Sequence, residues 1–194
     1  MADIATAAAD GEDRWLNATF GTARLLLRPL RPSDAGPMEL YAGDARVARM
    51  TTSIPHPYPP GAAAAFIERQ GLPGAAERCW VIDGSPIGAA EMMGVVSLKR
   101  EAGAIGYWVG PPFWNTGYAS EAVEGVLATL FGEGLPEIHA TVFADNPASA
   151  HVLEKLGFAE TGMIEAFSVA RGEAAPTRVF RLEPAAFDAA RAGR

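Results

Sequence analysis

A chain of 194 residues, 49% hydrophobic and 20% charged, is sized for one domain and apolar enough to build a core. Sixteen Lys and Arg against 23 Asp and Glu give a net charge of -7, which argues against general binding to nucleic acid or to a membrane surface, since both show as a basic surplus. One cysteine, Cys79, excludes a disulfide framework and a multi-cysteine zinc site; His56, His139 and His151 are too widely spaced for a local ligand pattern, so no metal is expected. No apolar run approaches the length of a membrane span, and the N-terminus lacks the features of a secretory signal, so the expected location is the cytoplasm.

Residues 1–20, rich in Ala and acids without a sustained period, are expected to form a flexible leader, and residues 21–194 a single domain. Leu25, Leu26, Leu27 and Leu30 among Arg24, Arg28 and Arg31 predict a short strand that ends at Pro29 or Pro32. Ser33 and Asp34 can cap the helix that follows, and a second helical stretch covers Asp44 to Met50. Four prolines between Thr51 and Pro60 dictate a loop, after which Ala62 to Gln70 is again helical.

From Cys79 the pattern turns strand-like, with strands at Cys79–Asp83, Met92–Leu98 and Ile105–Val109. Ala119, Ala122, Val123, Val126, Leu127 and Leu130 recur at three and four, which predicts a helix over residues 117–131. Ile138 to Phe143 is a further strand. Asn146-Pro147 supplies a cap and a proline at the first helical position for a helix stopping at Gly157. Strands at Phe158–Ile164 and Arg178–Leu182 complete an α/β order within one domain.

Two segments carry chemistry. Ile105-Gly-Tyr-Trp-Val-Gly leads through Pro111-Pro-Phe-Trp-Asn-Thr to Gly117 at a helix N-terminus, where backbone N–H groups without intrahelical partners and the helix dipole favour an anion. Alone, Gly117 reads as a simple turn between a strand and a helix. Asp145-Asn-Pro-Ala-Ser-Ala-His-Val-Leu-Glu-Lys-Leu-Gly-Phe is, alone, a well-capped amphipathic helix. Their joint occurrence one strand apart needs another account.

The pair resembles the coenzyme-binding motifs of the GNAT acetyltransferases, in particular the RimJ/RimL-like branch. Ile105-Gly106-Tyr107-Trp108, Trp114-x-x-Gly117-Tyr118-Ala119-x-Glu121-Ala122, Asn146-x-x-Ser149 and Leu156-Gly157-Phe158 carry the likeness, and Arg24-Leu-Leu-Leu-Arg28-Pro-Leu resembles the family's first strand. The resemblance implies a mixed, mostly antiparallel sheet flanked by helices and splayed between two parallel strands, with acetyl-CoA as cosubstrate in the cleft. It implies that Asn115, Thr116, Gly117, Tyr118 and Ala119 offer backbone amides to the pyrophosphate. Tyr107, Trp108 and Val109 would pair through their backbone with the pantetheine arm and help hold the acetyl carbonyl, with Asn146 bonded to that arm. Ser149 would lie near the sulfur as the general acid; a small residue on a helix face is its other reading.

The position before Ile105 often carries Glu in this branch and is Ala104 here, which removes the most obvious general base; Glu91 and Glu101 are fallbacks, and each also reads as a surface carboxylate in a turn. The implied reaction is acetyl transfer to a primary amine, a peptide N-terminus or a small amine, by direct attack in a ternary complex. A non-catalytic acyl-CoA-binding domain is the alternative. Acceptor residues are expected from the first two helices, the loop of His56 to Tyr58 and the segment after Ile164, with Arg46 and Arg49 among them. Glu121 reads as structural and Cys79 as core. Small proteins of this family are often dimers, so a homodimer stays open.

Overall fold

In the computed structural model, which describes residues 18–193, the strand-like middle of the chain forms the centre of one eight-stranded sheet. In chain order the elements are β1 (Phe20–Gly21), β2 (Leu26–Arg28), α1 (Ala35–Ala42), α2 (Ala45–Ala48), α3 (Ala62–Gln70), β3 (Glu77–Asp83), β4 (Gly94–Lys99) and β5 (Ala104–Val109). Then come α4 (Tyr118–Gly132), β6 (Ile138–Phe143), α5 (Pro147–Lys155), β7 (Ala159–Ser168), β8 (Glu173–Leu182) and α6 (Pro184–Ala192). The strand order is β1-β2-β3-β4-β5-β6-β8-β7, antiparallel throughout except between β5 and β6, which are parallel. That is the mixed, mostly antiparallel sheet flanked by helices that was expected.

Alternation along the strands sorts side chains to two faces. Trp80, Ile82, Val96, Leu98 and Ile105 join α4, α5 and α6 in the larger core, where Val126, Leu127 and Leu130 are fully buried. Burying each such leucine or valine contributes about 1.5–3 kcal/mol. Val81 and Val95, one position out of phase, face α1 and α3 and form a smaller core with Met38, Ala42, Ala63 and Ile67. The larger core spans the whole sheet; the smaller one draws on residues before Val109 alone.

Arg28 is fully buried and all five of its N–H donors have acceptors. Nε donates to Asp83 Oδ2 at 2.7 Å, Nη1 to Asp34 Oδ2 and the Pro29 carbonyl, and Nη2 to Asp34 Oδ1 and the Glu91 carbonyl. Burial works against the charge on Arg28, yet bonds to both carboxylates hold its pKa above the ordinary value. This corrects the expected cap. Asp34 makes no side-chain cap for α1, because its carboxylate is committed to Arg28 and to the Arg31 N–H. Asp44 does cap α2, accepting from the Arg46 N–H at 2.9 Å.

Three further differences have plain causes. β7 and β8 extend to Ser168 and back to Glu173, because cross-strand pairing with a partner supports residues whose own pattern is irregular. α6 was not expected; Ala-rich and short, it is held by burial of Phe187 against Phe131. The expected leader lies outside the described residues except for its last three, and of these Phe20 already pairs with Leu27.

Candidate active site

β5 and β6 register at a single pair among the described residues, Ala104 with His139, and the His139 N–H donates to the Gly103 carbonyl at 2.9 Å. Beyond it neither Tyr107 nor Val109 has a registered partner on β6. The other side of β5 is fully paired with β4, and in an antiparallel pair alternate residues exchange both bonds. The Gly110 N–H donates to the Met93 carbonyl, so Trp108, opposite Val95, turns its backbone groups to β4. Tyr107 and Val109 therefore turn theirs into the gap. Here the structure departs from the expectation for Trp108: its side chain packs on the smaller core and its backbone is in the sheet. Within the gap the Val109 carbonyl accepts from Trp114 Nε1 at 2.6 Å. The Tyr107 N–H and carbonyl and the Val109 N–H are left as a short ladder edge.

The chain leaves β5 through a 3₁₀ turn, Pro111–Phe113, and reaches α4 by way of two left-handed residues, Asn115 at φ 61° and Gly117 at φ 80°. Gly117 is the N-cap without a side-chain cap, and the first intrahelical bond is from the Glu121 N–H to the Gly117 carbonyl. The amides of Tyr118 and Ala119 thus have no helical partner. Thr116 Oγ1 donates to the Phe113 carbonyl at 2.7 Å and braces the turn. Asn115, Thr116, Gly117, Tyr118 and Ala119 are brought together at the positive end of the helix dipole, the first three exposed and the last two half-buried, with the Tyr118 N–H donating to Thr116 Oγ1 at 3.4 Å.

One residue beside it was missed in the sequence. Arg24 lies with its guanidinium 4.7 Å from the Tyr118 ring centre; Nη1 donates to the Thr116 carbonyl and Nε to Glu121 Oε2 at 2.7 Å. Glu121 Oε1 also accepts from Thr22 Oγ1 and the Arg24 N–H. Burial alone would raise the Glu121 pKa, but these donors hold it below the ordinary range. Glu121 is structural, as expected: it ties α4 to the loop before β2.

On the far side of the gap Asn146 caps α5, its Oδ1 accepting from the Ser149 N–H at 3.1 Å. Ser149 meets Tyr107 directly. The Tyr107 hydroxyl is 2.8 Å from Ser149 Oγ and 2.9 Å from the Ser149 carbonyl, so the two residues proposed for chemistry share one hydrogen-bond network across the two motifs. Burial pushes the Tyr107 phenol well above its ordinary pKa, and the bond to Ser149 offsets this only in part; the phenol is protonated at neutral pH.

The acetyltransferase (GNAT) domain family matches residues 24–159. The chain belongs to the GNAT acetyltransferase family. The chain is similar to the uncharacterized N-acetyltransferase YoaA of Bacillus subtilis, 33% identical over 47% of the chain and 55% of that protein, so the match spans about half of the relative's length. Among solved structures it is similar to Mycobacterium smegmatis RimJ in complex with CoA-disulfide, with a TM-score of 0.73 at 22% identity over 91% of this chain and 95% of that one. Spermidine N-acetyltransferase from Vibrio cholerae, in complex with CoA and spermine, gives 0.71 at 18% identity over 85% and 98%. At these identities the likeness to both is one of fold.

The remaining residues named from the sequence are scattered over the fold. Arg46 is clamped on Asp44 by two bonds and lies 5.5 Å from the Trp114 ring centre; its guanidinium lowers the Asp44 carboxyl to about 2. His56 Nδ1 is 3.0 Å from the Gly43 carbonyl, and Tyr58 packs on the smaller core, burial raising its pKa. Glu91 and Glu101 are exposed, and Cys79 is a thiol driven far up by burial, unsuited to nucleophilic attack. His139 pairs with Glu137, and His151 is exposed. Among the described residues no cluster of three or more His, Cys, Asp or Glu could hold a metal ion. No helix there is long and apolar enough to cross a membrane.

Proposed function

We propose that the enzyme binds acetyl-CoA in the gap between β5 and β6 and transfers its acetyl group to a primary amine by direct attack in a ternary complex. The observation that carries this is the Tyr107–Ser149 pair, 2.8 Å apart, which joins the ladder edge of β5 to the capped start of α5. The residues fit the group: an extended arm with amide donors and acceptors can pair with Tyr107 and Val109, and a pyrophosphate suits the amides of residues 115–119. Trp108 contributes its position and not its backbone; Asn146 and Ser149 close the other wall.

Acetyl-CoA supplies an activated thioester, and the protein's share is placement and proton handling. Backbone N–H groups at the ladder edge polarise the acetyl oxygen, the larger electrostatic contribution. As the C–N bond forms and the C–S bond breaks, Ser149 Oγ hands its proton to the departing thiolate and regains one from the water that takes the amine's proton, while the Tyr107 phenol, which burial keeps protonated, hydrogen-bonds Ser149 and stays neutral. Ala104 leaves no carboxylate at the usual base position. An α-amine, with a pKa of about 7.7–8.0, is partly neutral at working pH, whereas a lysine amine near 10.4 needs a strong base. This favours a peptide N-terminus or another low-pKa amine, in line with a RimJ/RimL-like role in the cytoplasm. The spermine-bound fold neighbour makes a polyamine the acceptor to compare.

Titration calorimetry with acetyl-CoA, with CoA and ATP as controls, tests the cofactor, and thiol release with alanyl peptides and spermidine tests the transfer. Tyr107→Phe and Ser149→Ala are expected to lower kcat by about a hundredfold while acetyl-CoA still binds. Binding of ATP as tight as that of acetyl-CoA, or wild-type turnover in both variants, sinks this mechanism.

A further inference from the structure

On the α4 face the two halves of the sheet share the larger core, but on the opposite face the smaller core contains, among the described residues, none after Trp108. What joins the halves there is a clasp at the tip of the β7–β8 hairpin. Ser168 Oγ donates to the Thr51 carbonyl at 3.0 Å and the Val169 N–H to the Thr52 carbonyl at 3.1 Å. Arg171 does most of the joining. Its Nε donates to the Arg49 carbonyl at 2.6 Å, Nη1 and Nη2 make a fork on Asp145 at 2.8 and 2.9 Å, and its guanidinium lies 4.5 Å from the Phe143 ring centre.

The hairpin does not need this arginine to turn. Gly172, at φ 72°, closes the turn through its own N–H to the Ser168 carbonyl at 2.9 Å. Yet the Arg171 side chain is only 8% exposed, and desolvating a guanidinium is costly unless each contact returns something. All of its charged bonds go outside the hairpin, to the α2 exit and to the residue before Asn146. From there the contacts run on: Asn146 Oδ1 accepts from the Ser149 N–H, and Ser149 Oγ meets the Tyr107 hydroxyl. One side chain thus ties the segment where the acceptor is expected to Asp145, from which the Asn146 cap leads on to the Tyr107–Ser149 pair.

We propose that Arg171 is a positioning residue for acetyl transfer, acting through Asp145 to hold the Ser149 turn in fixed register with the acceptor-side segment 49–52. This rests on the coenzyme and amine reading given above. The α4 amides, tied separately through Glu121 and Arg24, do not depend on it. Loss of the clasp therefore lowers turnover and leaves the coenzyme where it was.

The test compares wild type, Arg171→Ala, Arg171→Lys and Asp145→Asn. Acetyl-CoA affinity is read by calorimetry, kcat and KM with spermidine and an alanyl-terminated hexapeptide, and amide hydrogen exchange on the acetyl-CoA-bound enzyme. In Arg171→Ala we expect kcat/KM to fall at least about tenfold, since small misplacements of reacting groups are costly, while the acetyl-CoA Kd stays within about twofold. Exchange should rise in 49–52 and 145–149 together and stay unchanged in 117–121. Added guanidinium ion should restore part of kcat in Arg171→Ala alone, and Asp145→Asn should reproduce the loss with a full-sized side chain in place. Should Arg171→Ala fail to fold, Asp145→Asn and Arg171→Lys carry the same expectations. Faster exchange confined to 168–172, or unchanged turnover, overturns the proposal whichever amine is used. Where neither amine reacts in wild type, the exchange pattern alone decides it. A wild type that binds no acetyl-CoA sinks the parent reading instead, and is told apart by the calorimetry.

Discussion

Arg24 and Arg28 stand four residues apart in one short motif; Arg24 pairs with Glu121 on α4, and Arg28 with Asp34 before α1 and Asp83 on β3. Their surroundings make them different objects. Arg28 has no exposed side-chain surface and two carboxylates beside it that are almost as buried; Arg24 is 42% exposed and shares one carboxylate with a threonine. In the interior each charge depends on its partner, because no water replaces it. At the edge, water does replace it, and the guanidinium is left beside the amides of α4 with part of its surface free. Two arginines of one motif are thus divided between holding the fold and furnishing the site.

The largest effect that would break this contrast is at Arg28. Arg28→Ala leaves Asp34 and Asp83 facing each other without a cation, and should cost about 3–5 kcal/mol of stability. A domain of this size then melts about 10 °C lower. A denaturant titration giving less than about 1 kcal/mol would mean that water enters the site and that the burial argument fails.

Acid sharpens the same point. Burial works to raise the Asp83 pKa, but the bonds from Arg28 and from Ser85 outweigh it and leave the carboxyl below its ordinary value. A depressed folded pKa contributes stability that is whole above the unfolded value, about 3.9, and is lost as the pH falls through the folded one. Unfolding free energy should therefore drop as the pH falls below about 4, and Asp83→Asn should flatten that part of the curve. An identical acid limb in the variant would assign the sensitivity to other carboxylates.

At the exposed end the expected loss is of binding more than of stability. Gly117 sits at φ 80°, where a side chain is strained, and a Cβ there would come within 3.4 Å of Arg24 Nη2. Gly117→Val should cost about 1–3 kcal/mol in backbone strain and raise the acetyl-CoA Kd at least about tenfold. A folded variant with wild-type affinity would show that the amides of α4 hold nothing.

How much of this the sequence disclosed follows the same division. The sheet, α4 with its Gly117 cap and α5 with its Asn146 cap are local patterns, and local chemistry writes them: periodic apolar residues, an N-cap, a proline at the first position. Tyr107 and Ser149 were legible as members of two motifs, though nothing in their spacing of 42 residues says that their hydroxyls meet. Backbone direction was readable in principle, yet assigning Trp108 to the gap required the β4 register, which depends on turn geometry. Arg171 had no signal at all: an arginine beside a glycine in a polar turn looks solvated, and its partners at Arg49 and Asp145 lie 122 and 26 residues away. Asp34 misled for the opposite reason, since its local pattern is that of a cap and a buried arginine outbid the helix.

The smallest effect tests the exposed arginine itself. Glu121 accepts from the Arg24 N–H and Thr22 Oγ1 on one oxygen and from Arg24 Nε on the other. In Glu121→Gln the amide oxygen can keep the first two donors, but the amide N–H₂ then faces the guanidinium, and one charge-assisted bond is lost. Solvent screens what remains, and the guanidinium keeps the Thr116 carbonyl and the Tyr118 ring. The cost should be about 1 kcal/mol, or a melting temperature about 2–4 °C lower, against the several-fold larger loss at Arg28. A loss in Glu121→Gln as large as that in Arg28→Ala would mean that the loop before β2 is as dry as the interior. The division between a guanidinium that holds the fold and one that serves the site would then collapse, because both would be structural.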